Sequence, residues 1–393
     1  MLSRGKALWK IRLAVSYFFF VQGVVFASWA NRIPDVKAAL GLNDLELGTV
    51  LFAIPVGQVT AMMLSGFLVN KFGSRRMMVL GSIFYASCLV PLAFATSAWA
   101  LMAGLFFFGM AANLCNASAN TQAIGAERYY GRTIMASFHA LWSMGGFLGG
   151  LISMAFVGAG VGPRAQFFCI LALVLLSLNF FRGQLVLSDV KASSPSAESS
   201  GVSRHRLAIL DKVDPFVVFL GFMAFCGMVC EGCMYDWSGV YFKDVVLVDS
   251  GLVQLGYVVC LCTMTIGRFV SDFFVTRYGR RAVVMVSGAL IFCGMSLAVL
   301  MPSVVPATIG FFLVGFGISS TVPICYSLAG HSARMNSALA VTTVASVGYL
   351  GFLLGPPVIG HLAHAISLHY TFAAIAIMGV VLAVGALRFP RED

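Results

Sequence analysis

A succession of apolar stretches, each about as long as a bilayer is thick and almost free of charge, constrains this chain more than any other feature. Crossing roughly 30 Å of hydrocarbon takes about 20 residues of helix. Twelve segments meet or approach that length: 9–30, 45–70, 76–96, 98–123, 133–158, 165–187, 214–241, 251–275, 282–301, 304–328, 336–362 and 368–388. A soluble domain carries about 25% charged residues because its surface faces water; this one carries 10%, with 60% apolar residues. The chain therefore reads as an all-α, polytopic membrane protein with twelve transmembrane helices and no room for a soluble domain.

The charges that remain are unevenly placed. Lys and Arg number 25 against 15 Asp and Glu, a net +10, which fits either a nucleic-acid surface or a cytoplasmic membrane face. They fall in short clusters between the apolar runs, which excludes a basic nucleic-acid-binding domain and points to topology. With both termini inside, 20 of the 25 lie in inner segments, as short cytoplasmic loops require. Arg32, Lys37, Arg164 and Lys243 fall in outer loops, and Arg268 falls within a span. The expected location is a bacterial inner membrane, with the N- and C-termini cytoplasmic. The first apolar run lacks a small-residue cleavage site and reads as a retained helix.

All ten cysteines lie in apolar segments, so no disulfide framework is indicated. Cys226, Cys230 and Cys233 share a helical spacing, but no His accompanies them, and they read as small core residues rather than a soft-metal site. No metal and no cofactor are expected. No His-Glu-x-x-His motif or Gly-x-Ser-x-Gly elbow occurs, which argues against an enzyme, and no nucleotide-binding loop is present.

Shifting the chain by 206 residues superposes its halves: Gly73 falls on Gly279, Arg75 on Arg281, Gly104 on Gly310, Gly109 on Gly315, Arg128 on Arg334, Gly145 on Gly351 and Gly149 on Gly355. The expected plan is two pseudo-symmetric six-helix halves, 1–187 and 214–393, joined by a cytoplasmic linker at 188–213. Its Ser-rich composition can hardly fold alone. Parallel repeats of this kind occur in transporters that bind solute at the midplane between halves.

Two loops at equivalent places of the repeat, Asn70-Lys71-Phe72-Gly73-Ser74-Arg75-Arg76 and Thr276-Arg277-Tyr278-Gly279-Arg280-Arg281, resemble the Gly-x-Leu-x-Asp-Arg-x-Gly-Arg-Arg signature of the major facilitator superfamily. Together with the twelve spans and the repeat, the resemblance covers essentially the whole chain. It departs at the acidic position, held here by Asn70 and Thr276; Asp272, four residues after Arg268, is expected to supply a carboxylate through an i, i+4 pair. The strings Ser28-Trp29-Ala30-Asn31-Arg32-Ile33-Pro34, Phe138-His139-Ala140-Leu141-Trp142-Ser143 and Gly348-Tyr349-Leu350-Gly351-Phe352 are similar to the fucose-permease-like branch of sugar transporters. Proton-coupled members of that branch carry carboxylates in helices one and four, which this chain lacks there, so fucose itself is not implied.

The superfamily resemblance implies that helices one, four, seven and ten line a central cavity. In helix four, Asn113, Asn116 and Asn120 fall on one face, facing either solute or neighbouring helices. Gln22 and Gln58 in helices one and two, Ser319 in helix ten and the deeper Trp142 are further lining candidates. Helix seven carries the rarest feature, Glu231 and Asp236. A charged group at the centre of a span costs about 3 kcal/mol, so both are candidates for carrying a proton, with Glu231 and Tyr235 also contacting solute; the bland reading of Glu231 is a structural pair with Arg32 or another polar group near the outer end of helix one. Arg32 at the outer end and His139, Arg268 and Asp272 toward the cytoplasm are the gating candidates. Trp9, Trp29, Trp99 and Trp237 read as interfacial anchors, and Pro55, Pro323, Pro356 and Pro357 as bends.

The sequence thus points to a monomeric secondary transporter in the lipid bilayer, moving a small polar solute, a sugar or related compound, with protons by rocker-switch alternating access. A drug/proton antiporter and a non-transporting sensor are the alternatives.

Overall fold

The computed structural model of the chain describes residues 2–131, 134–186, 214–332 and 334–390. The linker expected at 188–213 lies outside the described residues. The described chain is a bundle of long helices, and local chemistry sets where most of them start, break and stop.

Span one, Leu2–Ala30, is followed by a short helix, Ile33–Leu40, which ends where Gly41 takes a left-handed φ of 63°. Asn43 then opens span two with a capping box, its side chain accepting from the Glu46 N–H while the Glu46 carboxylate accepts from the Asn43 N–H; each group satisfies a backbone donor that the helix start leaves free. Span two runs in two pieces, Asp44–Leu51 and Ala53–Phe72, because Pro55 has no N–H to give to the Leu51 carbonyl. Span three breaks likewise, into Ser74–Ser87 and Leu89–Ala93, ahead of Pro91. Span four is Ala98–Tyr130, capped by Ser97. At the start of span five, Met135–Gly158, the amides of the N-cap Ile134 and of Met135 donate to the Glu127 carboxylate from the end of span four. Span six is Pro163–Phe181.

Span seven, Pro215–Asp244, starts at Asp214, whose carboxylate accepts from the Phe216 N–H and the Ser332 hydroxyl. Spans ten, eleven and twelve are Val304–Gly330, Ser337–Ile366 and Leu368–Gly385.

Between them, Leu255–Leu300 reads as one helix of 46 residues, so among the described residues eleven helices are long and apolar enough to cross a membrane. At 1.5 Å per residue that helix would be about 69 Å long, twice the hydrocarbon thickness. The backbone leaves helical geometry at Gly279, with φ 79° and ψ 156°, separating span eight (255–278) from span nine (280–300). Gly73, its partner in the repeat, has φ 88° and ψ 142° between spans two and three. Both positions need the positive φ that glycine tolerates, and the described residues make twelve crossings.

The repeat is visible in the packing. Span one packs mainly on five and two on four, as seven packs on eleven and eight on ten. A Cβ on Gly109 would lie 2.1 Å from the Ile54 carbonyl, and one on Gly315 would lie 2.3 Å from that of Cys260, which is Ile54's own partner in the repeat. Gly145 and Gly351 press on the backbones of Phe20 and Phe225 in the same manner. The last pair departs from the expectation: Gly149 sits against Ala27 and Val24, whereas Gly355 has nothing within 4 Å.

Many large apolar side chains, among them Met63, Phe180 and Leu176, face outward, where lipid rather than water receives them. Trp9 and Trp99 are exposed near span ends, as anchors should be. Trp29 and Trp237 are instead 1% and 0% exposed. Both stand toward the ends of spans one and seven that lie away from the Arg-rich loops. We call the Arg-rich side the basic side and the other the opposite side.

Candidate functional site

Near the middle of span seven the run Met228–Tyr235 is buried at every position, and Glu231 is the one ionisable carboxylate within it, 7% exposed. Tyr235 follows one turn later on the same face and donates from its hydroxyl to Glu231 Oε1 at 2.6 Å. Span eight brings Arg268 to the same oxygen, Nη2 to Oε1 at 3.0 Å. The other terminal nitrogen of Arg268, Nη1, donates to the Ser143 hydroxyl on span five. One guanidinium therefore joins the carboxylate of span seven to a helix of the first six. Gly267 beside it lets span ten approach, since a Cβ there would lie 2.4 Å from Ser319 Oγ. The two side chains differ in access, 23% for Arg268 and 9% for Glu231.

Charges in an apolar interior hold only when paired and hydrogen-bonded. The Glu231 carboxylate has an arginine and a tyrosine hydroxyl, and the guanidinium has a carboxylate and a serine. Around them stand aromatic rings. Phe26 of span one, Trp142 of span five and Tyr257 of span eight lie 5.4, 6.2 and 6.2 Å from the Tyr235 ring. Phe352 of span eleven lies parallel to it, 6.4 Å away and tilted by 2°. The site is a paired charge enclosed by ring-sized flat walls and drawn from spans one, five, seven, eight and eleven.

The residues singled out by sequence distribute unevenly around this centre. Glu231, Tyr235, Arg268 and Trp142 come together. Arg268 does not pair with Asp272, as the i, i+4 spacing suggested; Asp272 is exposed and makes no ion pair among the described residues. A carboxylate in water gains little from a guanidinium, whereas a buried one is costly without it. His139 is exposed, with its ring edge-on to Phe19 at 5.2 Å and Arg268 within electrostatic reach. Asp236 is half-buried near Cys233 and Tyr257 and makes no hydrogen bond among the described residues.

The amides expected to line a neutral cavity mostly satisfy themselves. Gln22 donates to the Phe18 carbonyl of its own helix at 3.2 Å, and Asn120 donates to Asn116 at 2.8 Å. Asn113 is half-buried on the same helix. Ser319 donates to Phe316 and packs beneath Gly267. Gln58 accepts from the Tyr349 hydroxyl at 2.6 Å, linking spans two and eleven. Arg32, placed in an outer loop by sequence, is 2% exposed and bound on three sides, to Gln166 at 2.6 Å, Asp35 at 2.7 Å and the Val161 carbonyl at 2.6 Å. It clamps the ends of spans one and six within the first set of helices and does not pair with Glu231.

On the opposite side, contacts that sequence reasoning missed join the two sets of spans. Lys37 bridges Asp44 at 2.6 Å and Asp244 at 2.5 Å. Lys243 donates to the Pro34 carbonyl at 3.0 Å, and Gln254 to that of Asn31 at 3.2 Å. Gly48 and Gly360 meet closely enough that a Cβ on the first would be 2.8 Å from the second's Cα. These residues lie in loops and helix ends whose partners are more than 200 positions away in the chain, so no local pattern marks them. Ser143 lay within the string Phe138–Ser143 without being singled out, because one serine on an apolar helix is ordinary.

Fold and centre together define a membrane transporter. Comparison with known proteins gives its family. The profile of the Major Facilitator Superfamily matches residues 13–346 and, again, 273–393. An uncharacterised MFS-type transporter of Yersinia pestis is 33% identical over 95% of this chain and 94% of its own length. Membrane protein MosC of Rhizobium meliloti is 32% identical over 96% of this chain and 90% of its own. The crystal structure of a mutant of the nucleoside transporter NupG superposes with a TM-score of 0.77 at 16% identity, covering 96% of this chain and 99% of that one. The chain belongs to the Major Facilitator Superfamily, as a transporter and not an enzyme.

Proposed function

We propose that the protein is a proton-coupled secondary transporter of a small polar solute, a sugar or a related compound, which binds between an N-terminal half (1–187) and a C-terminal half (214–393) joined by a cytoplasmic linker (188–213). The Glu231–Arg268 pair, tied to Ser143 across the halves, carries this reading. A charge pair held at mid-depth by both halves is made or broken as they rock. The aromatic rings around Tyr235 supply flat faces for a ring-shaped body, which agrees with the resemblance to the fucose-permease-like branch.

The basic side faces the cytoplasm of a bacterial inner membrane, with both termini there and the protein acting as a monomer. The arrangement corresponds to an inward-facing state: Lys37, Lys243 and Gln254 hold the periplasmic side shut, while His139 and Asp272 stand exposed on the cytoplasmic side. In rocker-switch exchange this seal opens as the cytoplasmic side closes, bringing His139 and Asp272 toward each other. Asp236, deeper than the seal, is a secondary proton site reached from the periplasm.

Uptake into proteoliposomes, with and without an imposed pH gradient and an uncoupler, tests the proposal. Accumulation that follows the pH gradient and is lost in Glu231→Gln is expected; normal pH-dependent accumulation by Glu231→Gln rules out Glu231 as the proton carrier.

A further inference from the structure

We propose that the solute is an acid, and that its carboxylate takes the place of the Glu231 carboxylate on the Arg268 guanidinium while Glu231 takes up a proton. This rests on the transporter reading above and narrows its solute to a carboxylate borne on a ring-sized body, such as a sugar acid.

The first observation is the order in which a solute meets the charges. Arg268 is the more accessible member, 23% exposed against 9% for Glu231, which lies behind it under the Tyr235 hydroxyl. An anion arriving from water reaches the guanidinium first. A cation would meet that same positive charge before the Glu231 carboxylate.

The second is the charge balance. Glu231 and Arg268 already neutralise one another. A neutral solute entering beside them leaves that balance intact and gives Glu231 no reason to change its protonation. A carboxylate entering the same apolar enclosure leaves one uncompensated negative charge, which such a medium strongly disfavours. One proton taken from water onto Glu231 removes it. The guanidinium then exchanges a hydrogen bond to Glu231 for hydrogen bonds to the solute. No covalent bond forms, and one proton enters with each carboxylate, so the loaded site is neutral again.

The third is donor geometry. A guanidinium offers five N–H groups in a planar fork that matches a carboxylate, and Glu231 and Ser143 are held by its two terminal nitrogens. Once Glu231 is protonated, the Tyr235 hydroxyl is free to donate to the incoming carboxylate. Phe26, Trp142 and Phe352 flank the Tyr235 ring and receive the body of the solute.

The other ionisable groups facing the pair are consistent with this exchange. Asp236 lies on span seven, Tyr257 and Cys260 on span eight, Tyr326 on span ten, and His139 on span five. His139 stands on the approach to Arg268. Asp236 stands five residues beyond Glu231 along span seven, on the side away from the basic loops.

Proteoliposomes containing a pH-sensitive dye distinguish the possibilities when challenged with glucuronate, galacturonate, gluconate and quinate, and in parallel with glucose, galactose, sorbitol and glucosamine. Expected is uptake of one or more of the acids with acidification of the lumen, at least about tenfold faster than its uncharged or cationic counterpart. Arg268→Lys, which keeps the charge but loses the fork, should lower acid uptake by about tenfold or more. Glu231→Gln, a stand-in for the protonated state, should retain acid counterflow while losing acidification. Preference for the neutral sugars or for glucosamine, or full acid uptake by Arg268→Lys, overturns the inference and leaves the transporter reading standing. Movement of none of the eight compounds by a correctly folded protein overturns the transporter reading and the inference with it.

Discussion

Glu231 and Arg268 stand 3.0 Å apart between spans seven and eight, and the guanidinium that neutralises the carboxylate also reaches Ser143 on span five. The buried carboxylate and the contact between the two sets of helices thus share one side chain. Any ligand or proton that alters the pair alters what holds the two sets of helices together at mid-depth.

Removing one partner of this pair should cost more than removing both. Glu231→Ala leaves an unpaired guanidinium and Arg268→Ala an unpaired carboxylate, each expected to destabilise by about 3–5 kcal/mol. Replacing both by apolar residues should recover most of that loss. Denaturation in detergent, run as a double-mutant cycle, measures it; single variants within about 1 kcal/mol of the parent, the size of an ordinary substitution, would show that the pair is not energetically coupled.

The Lys37–Asp244 contact is partly exposed, with Asp244 40% accessible, so its direct worth is small, about 0.2–1 kcal/mol. Its position matters more than its energy. Cysteines placed at both positions and joined by a reducible bifunctional thiosulfonate, long enough to span the reach of the lysine side chain, should hold the opposite side shut and stop solute exchange until reduced. Cross-linking that leaves transport intact would show that this side need not open.

Ser143→Ala removes the tie from Arg268 to span five while leaving the Glu231 pair in place. A hydrogen bond to a charged group contributes about 1.5–3 kcal/mol. Its loss should shift the population away from the sealed arrangement. Labelling of a cysteine introduced at Asn31, which is 2% exposed, should become faster in that background, with stability of each half little changed.

Glycine substitutions should separate packing from tolerance. Gly145→Ala and Gly109→Ala each drive a methyl to 2.1 Å from a backbone carbonyl oxygen and are expected to cost about 1–3 kcal/mol or more, since backbone cannot step aside as a side chain can. Gly355→Ala meets nothing within 4 Å and should be neutral or slightly stabilising. Expression level and thermal midpoint in detergent report the difference.

Much of the fold was legible in the chain because lipid imposes a pattern that needs no distant partner. Long apolar runs, the bias of Lys and Arg and the 206-residue repeat follow from crossing a bilayer twelve times. Gly73 and Gly279 mark the same turn in both copies because only glycine takes that φ readily. Glu231 stood out for a related reason, as a charge where charge is expensive.

What the chain could not disclose is which group answers that charge. Arg268 has Asp272 four residues away and turns instead to Glu231, 37 positions distant. Trp29 and Trp237 look like interfacial anchors and are buried. By itself the sequence determined twelve spans, their repeat and the place of a deep carboxylate, Glu231, because these depend on each segment's own encounter with lipid and water. Only the tertiary structure decided that Glu231 pairs with Arg268, that Ser143 joins them and that Lys37 reaches Asp244. Pairing inside a bundle depends on which helices are brought side by side, and a buried charge selects its partner by distance and desolvation rather than by position in the chain.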